Sequence, residues 1–143
     1  MMLHERGRVL RRALLAVTCL ISAGCGGSSA EIYPVRGEVY LNGQPAAGAL
    51  VHFHPVDGEL CSPAFATVNE DGSFELSTYG KNDGAEPGDY IVTLNWRDEQ
   101  KVDDEFVTGP DRFKERYSKP KVSELKVTVI EGENLVPRYD LTE

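Results

Sequence analysis

The sequence predicts an all-β fold: a sandwich of seven short strands with one short helical crossover near residues 110–118. Three observations carry that expectation. From Val35 onward apolar residues recur with period two, the repeat of a strand half-buried against a core. Turn residues interrupt the alternation every eight to twelve positions, the spacing of antiparallel all-β domains. The composition, 41% hydrophobic and 27% charged in 143 residues, is that of a globular chain long enough for one domain.

The first strand is Val35–Leu41, with Val35, Gly37, Val39 and Leu41 on one face and Arg36, Glu38 and Tyr40 on the other. Asn42-Gly43 follows, a strong hairpin signal because both residue types tolerate positive φ. Residues 49–55 place Ala49, Val51 and Phe53 inward and Leu50, His52 and His54 outward. Strands 65–68 and 73–77 flank the turn Asn69-Glu70-Asp71-Gly72, with Phe74 and Leu76 toward the core. Residues 89–96 are the most β-prone stretch. Tyr90, Val92, Leu94 and Trp96 share one face and Ile91 and Thr93 the other, as expected of a central strand covered on both sides. Residues 125–130 alternate again, and 135–141 close the domain with Leu135, Pro137, Tyr139 and Leu141 in phase. Pro137 cannot donate to a ladder, so this last strand is expected at an edge or with a bulge. Between Trp96 and Leu125 the rhythm breaks. There Pro110 suits a first helical position, and Phe113 and Tyr117, four apart, would meet over an open end of the sandwich as a structured crossover.

The N-terminus reads as an address. Arg6, Arg8, Arg11 and Arg12 precede an uncharged stretch, 13–24, that ends in small residues, the layout of a secretory signal. That stretch is too short to span a bilayer, which takes about 20 apolar residues. Ile21-Ser22-Ala23-Gly24-Cys25 resembles the lipobox of bacterial lipoproteins. The resemblance implies cleavage before Cys25, a diacylglycerol thioether on its sulfur and acylation of its new amino group; an ordinary secretory signal with Cys25 incidental is the alternative. Residues 1–24 are then the signal peptide, 25–34 the lipidated Cys and a flexible tether, and 35–143 the folded domain. Several acyl chains hold a membrane where one holds only marginally.

Without residues 1–24, which carry four Arg and one Glu, the formal net charge of -8 becomes -11. An acidic chain makes nucleic acid an unsuitable partner and disfavours adhesion to anionic headgroups, so membrane contact is expected through the lipid. Cys61 is then the sole thiol besides Cys25, so no intramolecular disulfide is available and a paired-Cys metal site is excluded.

His52 and His54 are the best chemical candidates in the domain. Two apart on a strand, they project from one face and could share Zn²⁺ or Cu²⁺, but a full site needs further ligands and no other His follows residue 24. The same face, together with Tyr40, could instead take a carbohydrate. The acidic runs Asp98-Glu99 and Asp103-Asp104-Glu105 invite Ca²⁺ but lack a spaced ligand loop. No G-x-S-x-G nucleophile elbow occurs.

Val35-Arg36-Gly37-Glu38-Val39, Asn42-Gly43-Gln44-Pro45, Gly48-Ala49-Leu50-Val51-His52-Phe53, Asp71-Gly72-Ser73-Phe74 and Gly88-Asp89-Tyr90-Ile91-Val92, in that order, resemble the carboxypeptidase regulatory-like domains. Tyr117-Ser118, Ser123, Leu125 and Gly132-Glu133-Asn134 look like the tail of small bacterial lipoproteins carrying one such domain. The resemblance implies a seven-stranded Greek-key sandwich of the transthyretin (prealbumin-like) type, without catalytic residues or cofactor. The expectation is a non-enzymatic, lipid-anchored protein of the bacterial cell envelope, on the periplasmic face or outer membrane. Its partner would be an envelope protein or glycan, with a carbohydrate- or metal-binding face around His52 and His54 as the alternative.

Overall fold

The computed structural model describes residues 30–59 and 61–142. The expected signal peptide and the expected lipidation at Cys25 lie outside them. The described chain is all-β, with strands β1 (Val35–Leu41), β2 (Gln44–Pro45), β3 (Leu50–Pro55), β4 (Ala64–Thr67), β5 (Ser73–Glu75), β6 (Gly88–Asn95), β7 (Arg97–Val102), β8 (Glu105–Asp111), β9 (Lys126–Val129), β10 (Asn134–Leu135) and β11 (Tyr139–Leu141).

Two sheets share one core. In the first, β1 is bonded along both edges: antiparallel to β5 and β2, parallel to β10 and β11. The second runs in the order β4-β3-β6-β9, all antiparallel. The apolar sets meet between them. Phe53 of β3 lies edge-on to Phe74 of β5 at 6.4 Å between ring centroids and 5.8 Å from Tyr90 of β6. Val35, Val39, Val51, Val92, Leu94 and Val129 fill the rest, each almost fully buried. The arrangement is β-sandwich-like, and its main stabilising term is the removal of these side chains from water.

Local chemistry sets the register. Asn42 and Gly43 take φ of 51° and 79°, the paired positive values of a tight hairpin turn, and so bring Gln44 opposite Leu41. Gly72 (φ 90°) turns β4 into β5 beneath the Tyr40 ring, whose hydroxyl donates to the Asp71 carbonyl at 2.8 Å. Backbone pairing starts ahead of β1: Tyr33 and Ala85 exchange hydrogen bonds at 3.0 Å, within the stretch expected to be tether. Strand β6 is interior, with Val92 and Leu94 buried on one face and Thr93 on the other, as its composition predicts.

Three features depart from the sequence expectation. The helix near 110–118 does not form. Asp111 caps consecutive turns instead, Lys114 and Glu115 adopt φ of 55° and 60°, and the backbone bonds Lys114→Asp111 and Arg116→Phe113 span three residues, not four. The Asp111 carboxylate takes the Glu115 N–H at 2.9 Å, a local bond that competes with helix. The aromatic pairing survives the correction: Phe113 is buried, with Trp96 at 5.8 Å and Tyr117 at 6.2 Å.

The crossover also contains the unexpected antiparallel hairpin β7–β8, turning at Asp103 and Asp104 with φ of 49° and 68°. Finally, the last strand splits around Pro137. Val136 is buried, and Leu135, expected inside, is 84% exposed, because the break shifts the inward phase by one residue before Tyr139 and Leu141.

Candidate functional site

The outer face of the second sheet carries the site. Cross-strand pairs of β3 and β6 set its floor: Leu50 opposite Asn95 and His52 opposite Thr93. Residues directly opposite share a face, so the alternation that buries Val51 and Phe53 necessarily brings Leu50, His52 and His54 out beside Thr93 and Asn95. Where β6 ends, the chain enters β7, and Arg97 and Glu99 with Thr108 of β8 and Ser118 build a wall. Floor and wall enclose a half-open groove of about 620 Å³, within the range of small-molecule sites.

The two imidazoles stack at 6.0 Å with their planes 21° apart. His54 Nε2 lies 2.8 Å from Thr93 Oγ1, and Thr93 is buried beneath it. Loss of water, followed by the neighbouring His52, lowers the His54 pKa below the ordinary imidazole value, so at neutral pH the ring is uncharged. Arg97 is committed on several sides: Nε donates to Asn95 Oδ1 at 3.1 Å, Nη1 to the Gly109 carbonyl at 3.3 Å, and Nη2 pairs with Glu115. Its charge is thereby offset. The groove presents hydroxyl, amide and imidazole groups, with the Glu99 carboxylate in its wall, over the exposed Leu50 side chain.

The structure joins His52 and His54 but separates Tyr40 from them. Tyr40 belongs to β1 in the other sheet, points outward there, and carries the Arg138 guanidinium at 4.5 Å. Among the described residues no three His, Cys, Asp or Glu side chains are grouped to hold a metal ion. Of the acidic runs, Asp98 pairs with Arg112 at 2.6 Å and Asp104 with Lys101 at 2.7 Å. Cys61 is half-buried, its thiol donating to the Pro87 carbonyl at 3.3 Å.

Sequence reasoning missed Thr93, Asn95, Arg97, Glu99, Thr108 and Ser118 as groove residues. Thr93 and Asn95 were within reach of it, since they stand across from His52 and Leu50 once β3 and β6 are paired. The wall was not, because the strands that form it bury almost nothing.

No protein-family model and no curated protein matches the chain. Among solved structures it is similar to a Pseudomonas aeruginosa protein proposed to bind carbohydrate, at 13% identity and a TM-score of 0.44, over 80% of this chain and 90% of that one.

Proposed function

We propose that the protein is an exported, lipid-anchored binding module that holds a carbohydrate of the bacterial envelope in the groove between β3, β6 and the β7–β8 hairpin, without turning it over. The groove's lining carries this reading. Asn95, Thr108, Ser118, the two imidazoles and the Glu99 carboxylate offer hydrogen-bond donors and acceptors, and Leu50 supplies an apolar patch; polyhydroxylated ligands complement that combination. The anchor is the acylated Cys25, and the domain from residue 35 is a carboxypeptidase regulatory-like sandwich of the transthyretin type, its seven principal strands in Greek-key order. The motif order from Val35 to Val92 supports that assignment. The Thr93 hydroxyl is buried under His54, which favours a positioning role over a nucleophilic one.

A metal reading has less support. His54 Nε2 is engaged by Thr93, and among the described residues the two imidazoles have no third ligand grouped with them, which makes an incomplete site.

Calorimetric titration of the exported protein with soluble envelope and plant oligosaccharides tests the groove, with His52→Ala and Asn95→Ala expected to weaken binding. Blank titrations across the panel overturn the carbohydrate reading. Elemental analysis of the purified protein should show no stoichiometric transition metal. Cys25→Ala should leave the protein unprocessed or soluble, whereas unchanged membrane fractionation overturns the anchor.

A further inference from the structure

Resting on the carbohydrate reading of the groove, we infer that Phe106 is an aromatic platform on which a second sugar unit stacks, so the ligand is an oligosaccharide and not a monosaccharide. The argument comes from the register of the hairpin. Glu99 lies opposite Thr108, and both line the groove. Lys101 lies opposite Phe106, two residues further toward the tip on each strand. Residues two apart on a strand share a face, so Phe106 stands on the side of the hairpin that walls the groove, about 7 Å beyond Thr108.

The ring is unused by the fold. Phe106 is 75% exposed, and the core cluster does not include it. An exposed phenyl ring continuous with a groove of hydroxyl and amide groups supplies what the floor lacks, a flat apolar surface for the C–H face of a pyranose. Lys101 beside it is paired with Asp104, and Glu99 on the same face adds a carboxylate able to accept from sugar hydroxyls.

Titration of the full domain with cello-, chito-, malto- and manno-pentaose and with the matching monosaccharides tests this. The expected result is a pentaose that binds the wild type, with Phe106→Ala weakening it roughly tenfold, Phe106→Trp retaining it, and any monosaccharide binding left unchanged by either variant. Because the side chain is exposed, the variants are expected to keep the wild-type melting temperature. A pentaose bound equally by wild type and Phe106→Ala overturns the platform and leaves the groove reading standing. If no sugar of either length binds the wild type, the groove reading falls and the platform with it.

Discussion

Asp111 fastens the base of the β7–β8 hairpin to Trp96: its Oδ1 accepts the Trp96 N–H at 2.8 Å, while its Oδ2 accepts the Glu115 N–H at 2.9 Å. One buried carboxylate thus satisfies backbone donors on both sides of the excursion. Asp111→Ala leaves those donors unpaired. It should lower stability by about 1–3 kcal/mol in urea titration and accelerate amide exchange at Trp96. An unchanged midpoint with unchanged exchange would mean that the hairpin base is held by something else.

Gly37 lies against Phe74. A methyl group there would stand 2.5 Å from the Phe74 Cζ and 3.3 Å from the Val136 Cβ, both side chains of the packed core. The Phe74 ring is fully buried and packed edge-on to Phe53, so it has little room to give way. Gly37→Ala is expected to cost about 1–3 kcal/mol, readable as a lower thermal midpoint, while Gly43→Ala, where a Cβ meets no atom, should register only the strain of its positive φ.

The Tyr139 hydroxyl is buried and has no hydrogen-bond partner among the described residues. Burial alone pushes its pKa up to about 12. Tyr139→Phe should therefore be neutral or stabilising, by up to about 1 kcal/mol. The sign of the pH effect follows from the neutral phenol being the folded form. Stability associated with this group is intact below pH about 10, the ordinary phenol value, and declines as pH rises toward the folded value. The Phe variant should lose less stability over that alkaline window, and an identical alkaline profile would contradict the assignment.

His54 titrates below the ordinary imidazole range because desolvation and then His52 oppose its charge. The unfolded chain consequently takes up this proton at a higher pH than the folded one. The contribution of this group to stability should be flat above pH about 6.5 and fall as the pH drops below it, levelling off once the folded ring is also protonated. An NMR titration of the His54 ring in the folded protein reads the shift directly. A midpoint at or above the ordinary value removes the argument that the groove presents a neutral imidazole.

How far the sequence discloses this molecule depends on what each segment buries. Val51, Phe53, Tyr90, Val92 and Phe74 alternate because a core demands it, so β1, β3, β5, β6 and β9 can be read from apolar period alone. Arg97–Val102 bury nothing, and β8 turns inward only as it ends at Asp111, so no periodicity marks either strand. Their turn uses Asp103-Asp104 where Asn-Gly would have announced a hairpin. The expected helix fails for a different reason: the spacing of Phe113 and Tyr117 fits an α-turn, but the local bond that the Asp111 carboxylate accepts from the Glu115 N–H decides the backbone. The candidate site was half legible. His52 and His54 stood out by their type, whereas Tyr40 was grouped with them only because the sequence does not say which sheet a strand joins.

The position of β1 has a mechanical consequence. It is the first strand of the domain, yet it is hydrogen-bonded on both edges, with the carboxy-terminal segments β10 and β11 running parallel to it. A pull applied through the chain ahead of Val35 acts along the strand axis and loads these short ladders in shear, so their bonds share the load; a terminal hairpin would peel one bond at a time. Force arriving from the amino-terminal side therefore meets a seam loaded in shear first.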